Sequence, residues 1–110
     1  MEPNWEHVRQ GHWNQLVSTI RHSLGQFYRR NDLIKIGATQ NPEQRWSTYS
    51  IDGWREMVVL WETTSYDQIK SAEKEAIDWA WEYDGLENDR GGGAGLRRGA
   101  DRYFLYAVLE

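Results

Sequence analysis

The sequence predicts a small α/β (α+β) domain, a three-stranded sheet flanked by helices. Three observations carry this. The chain has 110 residues, the size of one domain. Three apolar, β-branched or aromatic runs read as strands. Segments between and before them carry helical periodicity or helix caps.

Trp13, Leu16, Val17, Ile20, Leu24 and Phe27 recur at the i, i+3, i+4 spacing of an amphipathic helix, with Gly25 expected to fray or stop it. A short helical turn is expected before it, with Pro3 near its start and Gly11 after its end. Residues 1–30 are therefore read as a helical extension of a core over 31–110. Asn31-Asp32 is a turn, and Leu33-Ile34-Lys35-Ile36-Gly37-Ala38 a strand. Asn41 as N-cap, Pro42 at the first helical position and Gln44 at capping-box spacing start a helix at 42 that runs to about Tyr49. Met57-Val58-Val59-Leu60-Trp61 is apolar throughout, the mark of a strand covered on both faces. Ser65 caps a helix over 66–83. A glycine-rich stretch follows, and Tyr103-Phe104-Leu105-Tyr106-Ala107-Val108-Leu109 is the third strand.

Composition narrows the chemistry. No cysteine is present, which excludes disulfides and thiolate sites, and three clustered histidines make a poor zinc site. No apolar run approaches the roughly 20 residues of a membrane span, and Met1-Glu2-Pro3-Asn4-Trp5-Glu6 lacks the pattern of a signal peptide. A cytoplasmic protein with no membrane partner is expected. The net charge is −4, unevenly spread. Residues 67–89 hold eight acids and two lysines, so they carry −6 and the rest of the chain, −4 less −6, carries +2. A local basic face can still hold phosphate on an acidic protein.

Three places carry candidate chemistry. On the helix over 66–83, Ile69, Ala72, Ala76, Ala80 and Tyr83 form an apolar stripe, and Glu73 falls about 40° from Ile69, inside it. Glu75, Asp78 and Glu82 fall on the opposite, solvated side. A carboxylate on a buried stripe is either paired with an arginine or serves a site. Arg45 lies on the first turn after Pro42, where backbone N–H groups and the helix dipole attract anions. It is either a phosphate clamp or a surface arginine. Asn88 precedes Gly91-Gly92-Gly93-Ala94-Gly95, which is either a ligand loop or a plain surface loop; no Walker-type Lys-Ser/Thr follows.

The stretch Ile34-Lys35-Ile36-Gly37-Ala38-Thr39-Gln40-Asn41-Pro42-Glu43-Gln44-Arg45-Trp46 resembles the second signature block of the GIY-YIG nuclease superfamily, and the resemblance extends over residues 33–109. It implies a GIY-YIG-like core and hydrolysis of phosphodiester bonds in nucleic acid, DNA in the first instance, with Mg2+ or Mn2+ as cofactor. Glu73 would hold the metal, Arg45 would clamp a non-bridging oxygen, and Tyr103 or Tyr106 would orient or deprotonate the attacking water. Lys35, standing where many members have tyrosine, would lower that phenol's pKa, and Asn88 would position substrate or the phenol. Gly37, Thr39, Arg90, Gly92, Arg97 and Arg98 would line the substrate site, with Trp46 as a stacking ring. The family's Gly-Ile-Tyr strand has no counterpart upstream of residue 33. The resemblance therefore implies a circular rearrangement in which the strand over 103–109 supplies it from the C-terminal side. Two other functions fit the same residues. One is a nucleotide- or nucleic-acid-binding module that stacks bases on Trp46, Trp54, Trp61, Trp79 and Trp81. The other is a homodimer whose interface takes up the excess aromatic rings.

Overall fold

The computed structural model describes residues 2–30, 33–81 and 96–110. The elements are β1 (Arg9–Gln10), α1 (Trp13–Arg30), β2 (Ile34–Thr39), α2 (Pro42–Ile51), β3 (Glu56–Thr63), α3 (Tyr66–Ala80) and β4 (Tyr103–Leu109). The sheet has four strands in the order β1-β3-β4-β2, one more than the sequence suggested. The addition is the two-residue β1, which pairs parallel with β3 at Arg9–Trp61 and Gln10–Glu62. It stands where a turn of helix was expected. Asn4 makes a second parallel bridge, its N–H donating to Met57 O at 2.7 Å and its carbonyl accepting from Val59 N at 3.0 Å. The N-terminal segment is thus a strap laid along β3.

β4 lies at the centre, antiparallel to β2 on one side and to β3 on the other. Its register sets Tyr106 opposite Gly37 and Val59, and Phe104 opposite Thr39 and Glu62. The strand over 103–109 therefore lies beside residues 34–39, the pairing that a rearranged first strand requires.

Strand alternation sends successive side chains to opposite faces. On one face Tyr103, Leu105, Ala107 and Leu109 of β4 join Ile34, Ile36 and Ala38 of β2 in a large core closed by α1 and α3. On the other, Tyr106 and Val108 join Met57 and Trp46 in a smaller cluster under α2. The caps follow from the residues read in sequence: Asn41 Oδ1 accepts from Gln44 N at 3.2 Å, and Ser65 Oγ accepts from Gln68 N at 3.1 Å. α1 passes through Gly25 without a break. Burial of Ile20 and Leu24 on either side of one turn outweighs the roughly 1 kcal/mol helix penalty of glycine. α3 ends at Ala80, earlier than the expected 83. Among its acids Glu75 is no solvated bystander: it accepts from Trp13 Nε1 at 2.8 Å and pairs with Arg21 at 3.1 Å, fastening α1 to α3.

Candidate functional site

The site grows from β2 and the helix that follows it. β2 ends in Thr39, which is buried, and Thr39 Oγ1 accepts from Asn41 N at 3.1 Å, shaping the turn into α2. The capped first turn of α2 presents Arg45, and one helical turn later Tyr49 projects on the same side. Thr39, Gln40, Asn41, Gln44, Arg45, Thr48 and Arg97 line a polar cleft of about 450 Å³. Two guanidiniums with amide and hydroxyl groups around them suit an anion with several oxygens.

Behind this cleft lies a pair of phenols. Tyr106 is 2% exposed, and its hydroxyl lies 2.9 Å from that of Tyr49. Lys35 Nζ stands 5.5 Å from the centre of the Tyr49 ring, within cation–π range. Tyr106 can reach this place because position 37 has no side chain. A Cβ on Gly37 would sit 2.3 Å from the Tyr106 hydroxyl oxygen and 2.5 Å from Cζ, far inside contact distance.

Glu73 is 6% exposed, as the helical stripe predicts. Tyr106 feels four influences together. Burial and the neighbouring Tyr49 raise its pKa, Arg45 lowers it, and the Glu73 carboxylate raises it further, with a net result well above the usual phenol value. Arg45, Tyr49, Glu73 and Tyr106 are therefore electrostatic neighbours. A phenol so held keeps its proton at neutral pH, and either hydroxyl of the Tyr49–Tyr106 pair can donate to the other.

Other expected residues lie elsewhere. Tyr103 is three residues from Tyr106, so it points to the opposite face. There its hydroxyl donates to Arg97 O at 2.6 Å and accepts from Ala100 N at 3.2 Å, fixing the loop that presents Arg97. Arg98 pairs with Asp67 at 3.3 Å and lies 4.4 Å from the Tyr66 ring centre, away from the cleft lining. Trp46 is 2% exposed and Trp61 fully buried, so neither offers a face for stacking. Asn88, Arg90 and Gly92 lie outside the described residues. Among the described residues no group of three or more histidine, aspartate or glutamate side chains gathers, so they offer a divalent ion the Glu73 carboxylate but no ligand cluster. No described helix is long and apolar enough to cross a membrane.

Sequence reasoning passed over Tyr49. Its signal was its place four residues after Arg45 on a capped helix, which sets both side chains on one face.

No protein-family model, no curated protein and no solved structure matches this chain.

Proposed function

We propose that this chain is a GIY-YIG-like, divalent-metal-dependent endonuclease that hydrolyses phosphodiester bonds in nucleic acid. The observation that carries the reading is the polar cleft that Arg45 shares with Arg97, with the Tyr49–Tyr106 hydroxyl pair on the α2 side of the sheet and the buried Glu73 within electrostatic range of Tyr106. These side chains come from α2, α3 and β4, far apart in the chain, and a purely structural cluster gives no reason for an open anion cleft at its edge.

In this reading the scissile phosphate enters between Arg45 and Arg97. Arg45 holds a non-bridging oxygen and gains strength as charge grows on it. The Tyr106 and Tyr49 hydroxyls donate or accept hydrogen bonds in sequence and fix the orientation of a water at the phosphorus. Lys35 adds positive charge at the Tyr49 ring. Water attacks phosphorus and gives up a proton to solvent, the bond to the ribose oxygen breaks, and the leaving alkoxide takes a proton from solvent. Glu73 would hold Mg2+ or Mn2+, which when bound supplies positive charge to the leaving oxygen while retaining most of its own waters.

The test is cleavage of supercoiled plasmid and a labelled oligonucleotide with and without Mg2+ or Mn2+. Wild type should cut only with the ion, and Glu73→Gln and Arg45→Ala should each lower the rate at least about 100-fold, at unchanged melting temperature for Glu73→Gln. A Glu73→Gln protein that cuts at the wild-type rate ends the assignment.

The alternative, a binding module using the same cleft without efficient chemistry, is favoured by one observation. Lys35 stands where many family members carry a phenol, and the phenol that is buried here resists ionisation. Binding of the oligonucleotide with no cleavage under either ion selects it.

A further inference from the structure

The N-terminal strap carries Trp5, which is 37% exposed. Its ring and that of Phe104 form a T-shaped pair with centroids 5.5 Å apart. Phe104 is the direct cross-strand partner of Thr39, and directly opposed residues in a sheet share a face. Thr39 lines the two-arginine cleft. The same face is covered further along by Trp46 of α2 over Tyr106, Val108 and Met57, whereas Phe104 is not part of that cluster. An accessible indole thus lies one strand-pair step from the cleft residue Thr39, on the sheet face that α2 covers further along.

We propose that Trp5, seated on Phe104, is a base-stacking shelf for single-stranded nucleic acid whose phosphate lies between Arg45 and Arg97. This rests on the reading of the cleft as a phosphodiester site. Two features commit the shelf to this occupant. The adjoining cleft is cationic and polar, which suits a phosphate and not an apolar partner. The indole is braced by a second ring in a T-shaped contact and is still 37% exposed, so it resists tilting while leaving ring surface for a base. The strap's two backbone stations on β3, at Asn4 and at Arg9-Gln10, hold Trp5 between them. A duplex, whose bases are stacked on one another, cannot use the shelf, so it also selects for unpaired nucleotides.

The experiment measures binding of a fluorescein-labelled oligothymidylate of about eight nucleotides by anisotropy in EDTA, with inorganic pyrophosphate as a displacing competitor. Stacking on one aromatic is worth roughly a 5- to 150-fold change in Kd. Trp5→Ala should raise the oligonucleotide Kd by that factor and leave the pyrophosphate constant unchanged. Trp5→Phe should restore most of the affinity. Trp5→Leu keeps an apolar plug on Phe104 while removing the ring face, and should bind as weakly as Trp5→Ala; it carries the test if the alanine variant loosens the strap. Oligonucleotide affinity unchanged in Trp5→Leu, with wild type binding both probes, overturns the shelf and leaves the phosphate reading standing. Wild type binding neither probe overturns both.

Discussion

The two faces of the sheet are built to different ends. Under α1 and α3, every inward side chain of β2 and β4 is apolar or, in Tyr103, has its hydroxyl fully engaged with its own loop. Under α2 the cluster is only a few residues deep and then gives way to Tyr49, Lys35, Arg45 and the open cleft. β4 serves both, alternating between them residue by residue. The thick layer supplies the burial that holds the sheet and carries Glu73 on α3; the thin layer holds the Tyr106 phenol in place. Most of the apolar burial thus lies on one side of β4 and the polar cleft opens on the other, with Glu73 the charged side chain on the thick side.

The largest stability effect should come from the thick side. Ile69→Ala opens a cavity in a fully buried position and should cost about 2–5 kcal/mol in urea denaturation. Oligonucleotide affinity of the folded protein should not change. Loss of affinity in conditions where the variant is fully folded would mean the faces are not independent.

On the thin side, Gly37→Ala should cost about 1–3 kcal/mol, because the added methyl must displace a packed ring. Cleavage should fall with it as the phenol moves. Combining it with Tyr106→Leu should cost less than the two single changes together, since the clash is then gone. Strict additivity would show that Gly37 matters for some reason other than Tyr106.

The smallest effect is the loss of one hydroxyl. Tyr106→Phe removes the link to Tyr49 and should lower stability by about 1 kcal/mol at neutral pH. Its pH dependence is more telling. The folded protein holds the Tyr106 proton more tightly than the unfolded chain does, through burial first and Tyr49 next. The contribution is complete below the ordinary phenol pKa of about 10 and is lost as pH rises above it. Wild type should therefore lose stability more steeply than Tyr106→Phe in alkaline melts. Parallel curves would remove Tyr106 from the account.

The sequence made some of this legible for physical reasons. A helix repeats every 3.6 residues, so the inward aim of Glu73 could be read from Ile69, Ala72 and Ala76 alone. The cap at Asn41, Pro42 and Gln44 is local chemistry and was equally plain. The period-two rule also separates Tyr103 from Tyr106, since an odd spacing in a strand puts them on opposite faces. β1 was not legible: Arg9 and Gln10 are polar and exposed, and only backbone pairing makes them a strand. Nor was the burial of Trp46. Its position on a weakly amphipathic helix gives little hint of which side faces the sheet. Tyr49 becomes meaningful only when register sets Tyr106 over Gly37, a pairing between segments about seventy residues apart.

The central place of β4 has a consequence for biogenesis. β2 and β3 share no ladder with each other; each is joined to the other only through β4. Because β4 follows every other described element in chain order, a nascent polypeptide that has emerged only through α3 holds two apolar strands with nothing between them. Closing β2 and β3 into one sheet must wait for β4 to leave the ribosome and insert between them, so a chaperone that shields those strands during translation should raise the folded yield more than it raises the yield of a protein whose strands close in order of synthesis.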